Sequence, residues 1–254
     1  MTADDIIFYF VMLHKGNWNA IYDSIRRKEK IDEDKLEEFR RQNNSPYITL
    51  LSDDYPESLK RINKPPYLLF YKGDLSLLKN ERIIAAVGTR RMSSYGKLMA
   101  KRFIPGLVKK KYVIVSGLAK GIDAEVHRLT LNGGGKTIGV IANGLDICYP
   151  QCNADIYDGI GKNGLIITEF PNGVNAEPLS FQGRNRLISG LAKGVLVIEA
   201  YQRSGTLITV RHAIEQGKEI YCIPDRLNTG SICNHLIKEF ACLVEDPNDI
   251  EVGF

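Results

Sequence analysis

Residues 83–123 read IIAAVGTRRMSSYGKLMAKRFIPGLVKKKYVIVSGLAKGID. Two short apolar runs, Ile83 to Val87 and Tyr112 to Val115, enclose an amphipathic segment from Ser94 to Lys109. The runs are nearly continuous rather than alternating, which is the pattern of strands buried on both faces. Working outward, the texture repeats. Thr137 to Ile141, Leu165 to Thr168, Val195 to Ile198 and Glu219 to Ile223 read as further strands. Ile122 to Leu131, Asn153 to Gly161, Arg184 to Ala192 and Gly205 to Gln216 are long enough to be crossover helices. Such alternation predicts an α/β fold, a mostly parallel sheet with helices on both faces.

Upstream, Ile6, Phe10 and Leu13, then Trp18, Ile21, Tyr22 and Ile25, recur at helical spacing, with Gly16-Asn17 between them. Ile31, Leu36 and Phe39 suggest a third helix that ends before Pro46. The expected organisation is a small helical module over 1–45, a connector over 46–80 and an α/β domain over 81–254. The connector is rich in turn residues, and its run Tyr67 to Tyr71 suits a strand.

Of 254 residues, 44% are hydrophobic and 25% charged, which excludes disordered, collagenous and disulfide-scaffold classes. The five cysteines cannot all pair, so reduced thiols in a cytoplasm are expected; Cys148 and Cys152 have no second pair with which to hold a metal. The apolar run Ile6 to Leu13 is far short of the ~20 residues a membrane span needs. A net charge of +4 means little, yet ten Lys or Arg against two acids lie between Arg90 and Arg128. Within that stretch Lys109-Lys110-Lys111 reads as a solvated turn or as an extension of a nucleic-acid track.

In an open parallel sheet, ligands bind beyond the carboxyl ends of the strands. Gly88-Thr89-Arg90-Arg91 follows the first run, with Ser93 and Ser94 able to cap the next helix. Ser116-Gly117-Leu118-Ala119-Lys120-Gly121 follows the second and Asn143-Gly144 the third. Glu169 and then a loop to Phe181, Arg184, Asn185 and Arg186 follow the fourth; Glu199 and then Ser204-Gly205-Thr206 follow the fifth. Each alone fits a plain turn and cap. Together, glycines and basic groups at five successive strand ends predict a convergent polyphosphate or nucleotide pocket.

These segments, with Tyr95-Gly96, His127, Gly144-Leu145-Asp146, Tyr149-Pro150, Asn153 and Thr209, resemble the DNA-processing protein A family (DprA/Smf) from about Asp54 to Asp249. The sequence departs from the family pattern at Gln182, Asp225 and Phe240. Many relatives carry a further winged-helix module, which is absent or lies beyond this sequence.

The resemblance implies a Rossmann-like domain that binds single-stranded DNA and helps to load the RecA recombinase during natural transformation. No catalytic residue, metal or cofactor is implied. Arg90, Lys120, Arg184 and Arg186 are the expected phosphate ligands, on one electropositive surface. Tyr95, Tyr149, Tyr201 and Phe181 are stacking candidates, each with an alternative in core packing. The resemblance also implies a homodimer, for which Ile232, Leu236, Ile237, Phe240 and Leu243 form a candidate apolar face. A rival resemblance is to lysine-decarboxylase-like phosphoribohydrolases, nucleotide-cleaving enzymes in which a glutamate stands where this chain has Thr209. A hydroxyl is too weak an acid to replace that carboxylate as a base. Glu169 and Glu199 are the carboxylates that remain near the pocket.

Overall fold

The structure is a computed structural model that describes residues 1–202 and 204–251. Three helices come first. In α1 (Ala3–Leu13) the Thr2 hydroxyl accepts from Asp5 N while the Asp5 carboxylate accepts from Thr2 N, a capping box. Asn17 caps α2 (Trp18–Arg26) and Asp32 caps α3 (Glu33–Gln42) in the same first-turn manner. Their apolar faces, with Phe8, Phe10, Ile21 and Leu36, close on Leu68 and Phe70 of the connector.

The connector is part of the sheet. Its β1 (Tyr47–Thr49) pairs antiparallel with β2 (Leu68–Gly73), and the short α4 (Glu57–Lys60) lies between them. The α/β series follows: β3 (Ile83–Gly88), α5 (Ser94–Lys109), β4 (Val113–Ser116), α6 (Ile122–Asn132), β5 (Thr137–Val140), α7 (Ala154–Asn163), β6 (Leu165–Thr168), α8 (Pro178–Leu191), β7 (Gly194–Glu199), α9 (Gly205–Glu215) and β8 (Glu219–Cys222). A last helix, α10 (Cys233–Glu239), leads to β9 (Cys242–Leu243).

The sheet order is β1-β2-β6-β5-β4-β3-β7-β8-β9, parallel from β6 to β9 and antiparallel where β2 meets β6. The mostly parallel sheet, the helices on both faces and the helical N-terminal elements agree with the sequence. Side-chain alternation sorts the core into layers. Ile84 and Ala86 face Phe103, Ile104 and Val126 of α5 and α6. Ile83, Ala85 and Val87 face Leu187, Ile188 and Val210 of α8 and α9. Each large side chain so buried contributes about 1.5–3 kcal/mol. From β3 the chain winds outward to β6, then recrosses to β7 on the other side of β3, which leaves a crevice at the carboxyl ends of these strands.

Two expectations need correction. Helix α8 begins at Pro178, so Phe181 to Gly183, read as part of the loop before Arg184, are helical; Pro178 sits in its first turn, where its missing N–H costs nothing. The candidate dimer face also divides. Ile232 and Leu236 are buried and Ile237 is partly buried against the same core, because the sheet edge needs that cover. Only Phe240 and Leu243 remain open, at 45% and 49% exposure. The end of the expected α/β domain, residues 252–254, lies outside the described residues.

Candidate nucleic-acid interface

The crevice is a cleft of about 1000 Å³ walled by the ends of β3 and β7 and the first turns of α8 and α9. Its β3 wall is fixed by the end of β7. Thr89 N donates to Glu199 O at 2.8 Å, and Ser93 N donates to Glu199 Oε2 at 3.0 Å. Ser93 caps α5 by accepting from Gly96 N, and the Tyr201 hydroxyl donates to Glu199 Oε1. The buried Glu199 carboxylate is therefore spent on the start of α5.

Behind this wall lies the β4–α6 loop. Gly121 has φ +78°, and a Cβ there would lie 2.4 Å from Thr89 O, so only glycine lets the two loops cross. Asn153 anchors the loop by donating to Leu118 O at 2.9 Å. Gly117 serves close approach: a Cβ there would lie 2.5 Å from Arg184 Nη1 and 2.6 Å from Asp123 Oδ2.

Arg184 forms the floor. It is 4% exposed and donates to Gly117 O at 2.5 Å and to Val140 O. Burial pushes its guanidinium down to about 10, against the opposing pull of Asp123, so it stays charged at neutral pH. Burial likewise raises the Asp123 carboxyl, with Arg184 opposing. Above the floor, the exposed Arg90 guanidinium lies 5.0 Å from the centre of the Phe181 ring, and Tyr149 meets that ring at 5.6 Å.

The third wall is the start of α9. Ser204 stands at the N-cap, yet its hydroxyl makes no capping bond. Ser204 Oγ, Thr206 Oγ1 and Arg184 Nε are buried and, among the described residues, have no hydrogen-bond partner. Two orphaned hydroxyls beside the first N–H groups of a helix, in a cleft that also holds Arg90, Arg91 and Arg184, have the donor chemistry that suits phosphate oxygens.

The structure thus brings Gly88, Thr89, Arg90, Arg91, Phe181, Arg184, Asn185, Ser204, Gly205 and Thr206 to one cleft. It does not bring the others. Arg186 is taken by Glu169, which accepts from both of its terminal nitrogens at 2.6 Å, and its Nε donates to Lys64 O. Against the penalty of burial, Glu169 holds that guanidinium above its ordinary value. The expected single surface of Arg90, Lys120, Arg184 and Arg186 is therefore not formed: Arg184 and Arg186 are buried in α8, and Lys120 is exposed but outside the cleft lining.

Ser116 donates to Ala86 O, and Asn143 donates to Gly144 O and Ile147 O, so both brace loops. Gly117, Gly121 and Gly144 shape the backbone around the cleft without lining it. Of the stacking candidates, Tyr149, Tyr201 and Phe181 line the cleft, while Tyr95 donates to Pro224 O behind it. Gln182 and Gln202 also line it; neither carries a sequence signal beyond its neighbours. Among the described residues, no group of His, Cys, Asp or Glu is arranged to hold a metal and no helix is long and apolar enough to cross a membrane.

The family model for DNA recombination-mediator protein A matches residues 46–253. The DNA processing protein DprA of Streptococcus pneumoniae is 45% identical over 213 residues, 82% of this chain and 74% of that protein. Its Bacillus subtilis counterpart is 42% identical over 71% of this chain, and the match spans only 61% of that protein. The X-ray structure of the S. pneumoniae protein superposes with a TM-score of 0.81 at 37% identity, covering 98% of this chain and 94% of that one. A structure of the Helicobacter pylori protein, described for its single-stranded DNA binding mode, gives 0.74 at 31% identity over 81% of this chain and 94% of that one.

Proposed function

The chain belongs to the DNA recombination-mediator protein A family, and from that premise we propose that its cleft binds single-stranded DNA and that the bound complex assists loading of the RecA recombinase. The observation that carries the reading is the phosphate cradle, in which the unpartnered Ser204 and Thr206 hydroxyls share a cleft with Arg90 and Arg184. Phe181 and Tyr149 supply ring faces for bases, a sequence-tolerant contact. The single-strand binding described for the H. pylori relative supports the choice of ligand.

Binding without turnover is part of the proposal. Glu199 is engaged by the start of α5 and Glu169 by Arg186, so neither is placed as a free base, and Thr209 cannot act as one. We place the protein in the cytoplasm, as a homodimer joined through the exposed β9 edge with Phe240 and Leu243. The variant that tests the dimer is Phe240→Glu, since Ile237 packs on the core and its replacement would disturb the fold.

Direct titration tests the ligand. Labelled oligothymidine should bind with an affinity that falls steeply with salt, while an equal-length duplex competes poorly. Equal competition by duplex would remove the single-strand reading. For RecA, filament growth on a strand covered by a single-strand-binding protein should start sooner when this protein is present; an unchanged lag would count against a loading role.

A further inference from the structure

The end of the sheet opposite the cleft carries a row of cations. Lys218 precedes β8, Lys193 precedes β7, Arg82 precedes β3, Lys111 lies two residues before β4 and Lys136 precedes β5. These strands are neighbours in that order, so at about 4.8 Å per strand the row runs about 19 Å along one edge. Helices end here, and each carboxyl terminus favours one cation. That effect accounts for single charges and not for their crowding.

Lys193 and Lys218 precede the paired residues Gly194 and Glu219, which puts them side by side. Arg61 joins them from the end of α4, whose neighbours Leu59 and Ile62 pack on α8. Among the described residues, none of these three has a carboxylate within ion-pair distance. Of the acids at this end, Glu219 accepts from the Tyr221 hydroxyl, Glu215 meets His212 and Glu57 pairs with Lys60, while the exposed Glu81 stands beside Arg82. Burial, with Lys193 and Arg61 beside it, lowers the Lys218 ammonium from its ordinary value.

We propose that this amino-end ledge is a second nucleic-acid contact, which takes the extended phosphodiester backbone of a single strand independently of the cleft. A linear row suits a run of phosphates better than one compact anion. Phosphate contacts of this kind carry no base preference and depend on salt. The choice of DNA as the polyanion rests on the function proposed above. The ledge lies a full strand length from the cleft, about 20 Å plus loops, so a strand of about five nucleotides seated in the cleft does not reach it.

The test compares wild type with Lys193→Gln/Lys218→Gln, using labelled oligothymidines of about five and about forty nucleotides. The ledge variant should bind the short strand as wild type does. It should bind the long strand several-fold more weakly, with a logarithmic salt slope shallower by about 1.4, the value for two lost phosphate contacts. Lys193→Arg/Lys218→Arg should restore both, and an unchanged or higher Tm will show that the glutamine pair folds. Unchanged long-strand binding overturns the proposal, as does an equal loss on both lengths, which would mark a general charge effect. Arg90→Ala separates the two readings: if it leaves short-strand binding intact the cleft reading fails, while the ledge is still judged by its own pair of variants.

Discussion

The two ends of the sheet use the same kinds of side chain in opposite ways. At the carboxyl ends, Arg184 and Arg186 are buried and each has partners in the fold: carbonyl oxygens and Asp123 for one, Glu169 for the other. At the amino ends, Lys193, Lys218 and Arg61 gather with no carboxylate within ion-pair distance among the described residues. The difference teaches that a basic motif does not by itself name a ligand contact. Where burial and partners in the fold hold a charge, it braces the scaffold; Arg90, exposed over Phe181, is the cleft arginine proposed to meet phosphate.

The comparison is sharpest where it predicts unfolding. Glu169→Ala leaves Arg186 charged and buried, so chemical denaturation should show a loss of about 3–5 kcal/mol. Glu169→Leu/Arg186→Met should recover most of it, and a single variant as stable as wild type would show that the pair does not brace α8.

A smaller effect concerns pH at the back of the cleft. His127 is buried, and burial, aided by Arg184, holds its imidazole down to about 3 against an ordinary 6.5. The unfolded chain takes up this proton first, so stability from this group is present above about 6.5 and is lost as pH falls towards 3, by up to about 1.4 kcal/mol per pH unit. Thr137 Oγ1 gives its hydrogen to Ile114 O, so His127 Nδ1 donates to it. A His127→Gln variant should show a shallower acid limb in urea melts; an unchanged limb would place the proton uptake elsewhere.

The smallest effect on the fold is expected at the ledge. Lys218→Gln removes a half-buried cation that faces two others, so its midpoint in urea should match or slightly exceed that of wild type. A clear loss would mean that the helix ends need this charge.

Most of the fold was legible because its strands are buried on both faces: Ile83 to Val87 has no polar position to confuse a period-2 pattern, and Ser94 to Lys109 carries its apolar stripe directly after the capping Ser93. The start of α8 was not, since Gly183 interrupts the helical signal and tertiary packing overrides it. The strand-end segments Gly88 to Arg91 and Ser204 to Thr206, singled out in the sequence, line the same cleft. What sequence could not distinguish was a rim arginine from a floor arginine. Arg184 and Arg186 read as phosphate ligands in the motif, but their partners, Gly117 O, Val140 O and Glu169, come from distant strands. The apolar face of α10 misled for a similar reason, because the depth of the sheet edge it covers is a property of β7 and β8.

The central claim is that Arg90 meets phosphate in the cleft while the buried arginines hold it open. Fluorescence anisotropy of a short labelled oligothymidine, with Arg90→Ala and wild type compared across salt concentrations, tests it most directly. The expected result is a protein as stable as wild type within about 0.5 kcal/mol, an affinity lower by roughly tenfold, and a salt slope shallower by about 0.7, one single-strand phosphate contact. Superimposable affinity and slope for the two proteins would contradict the claim.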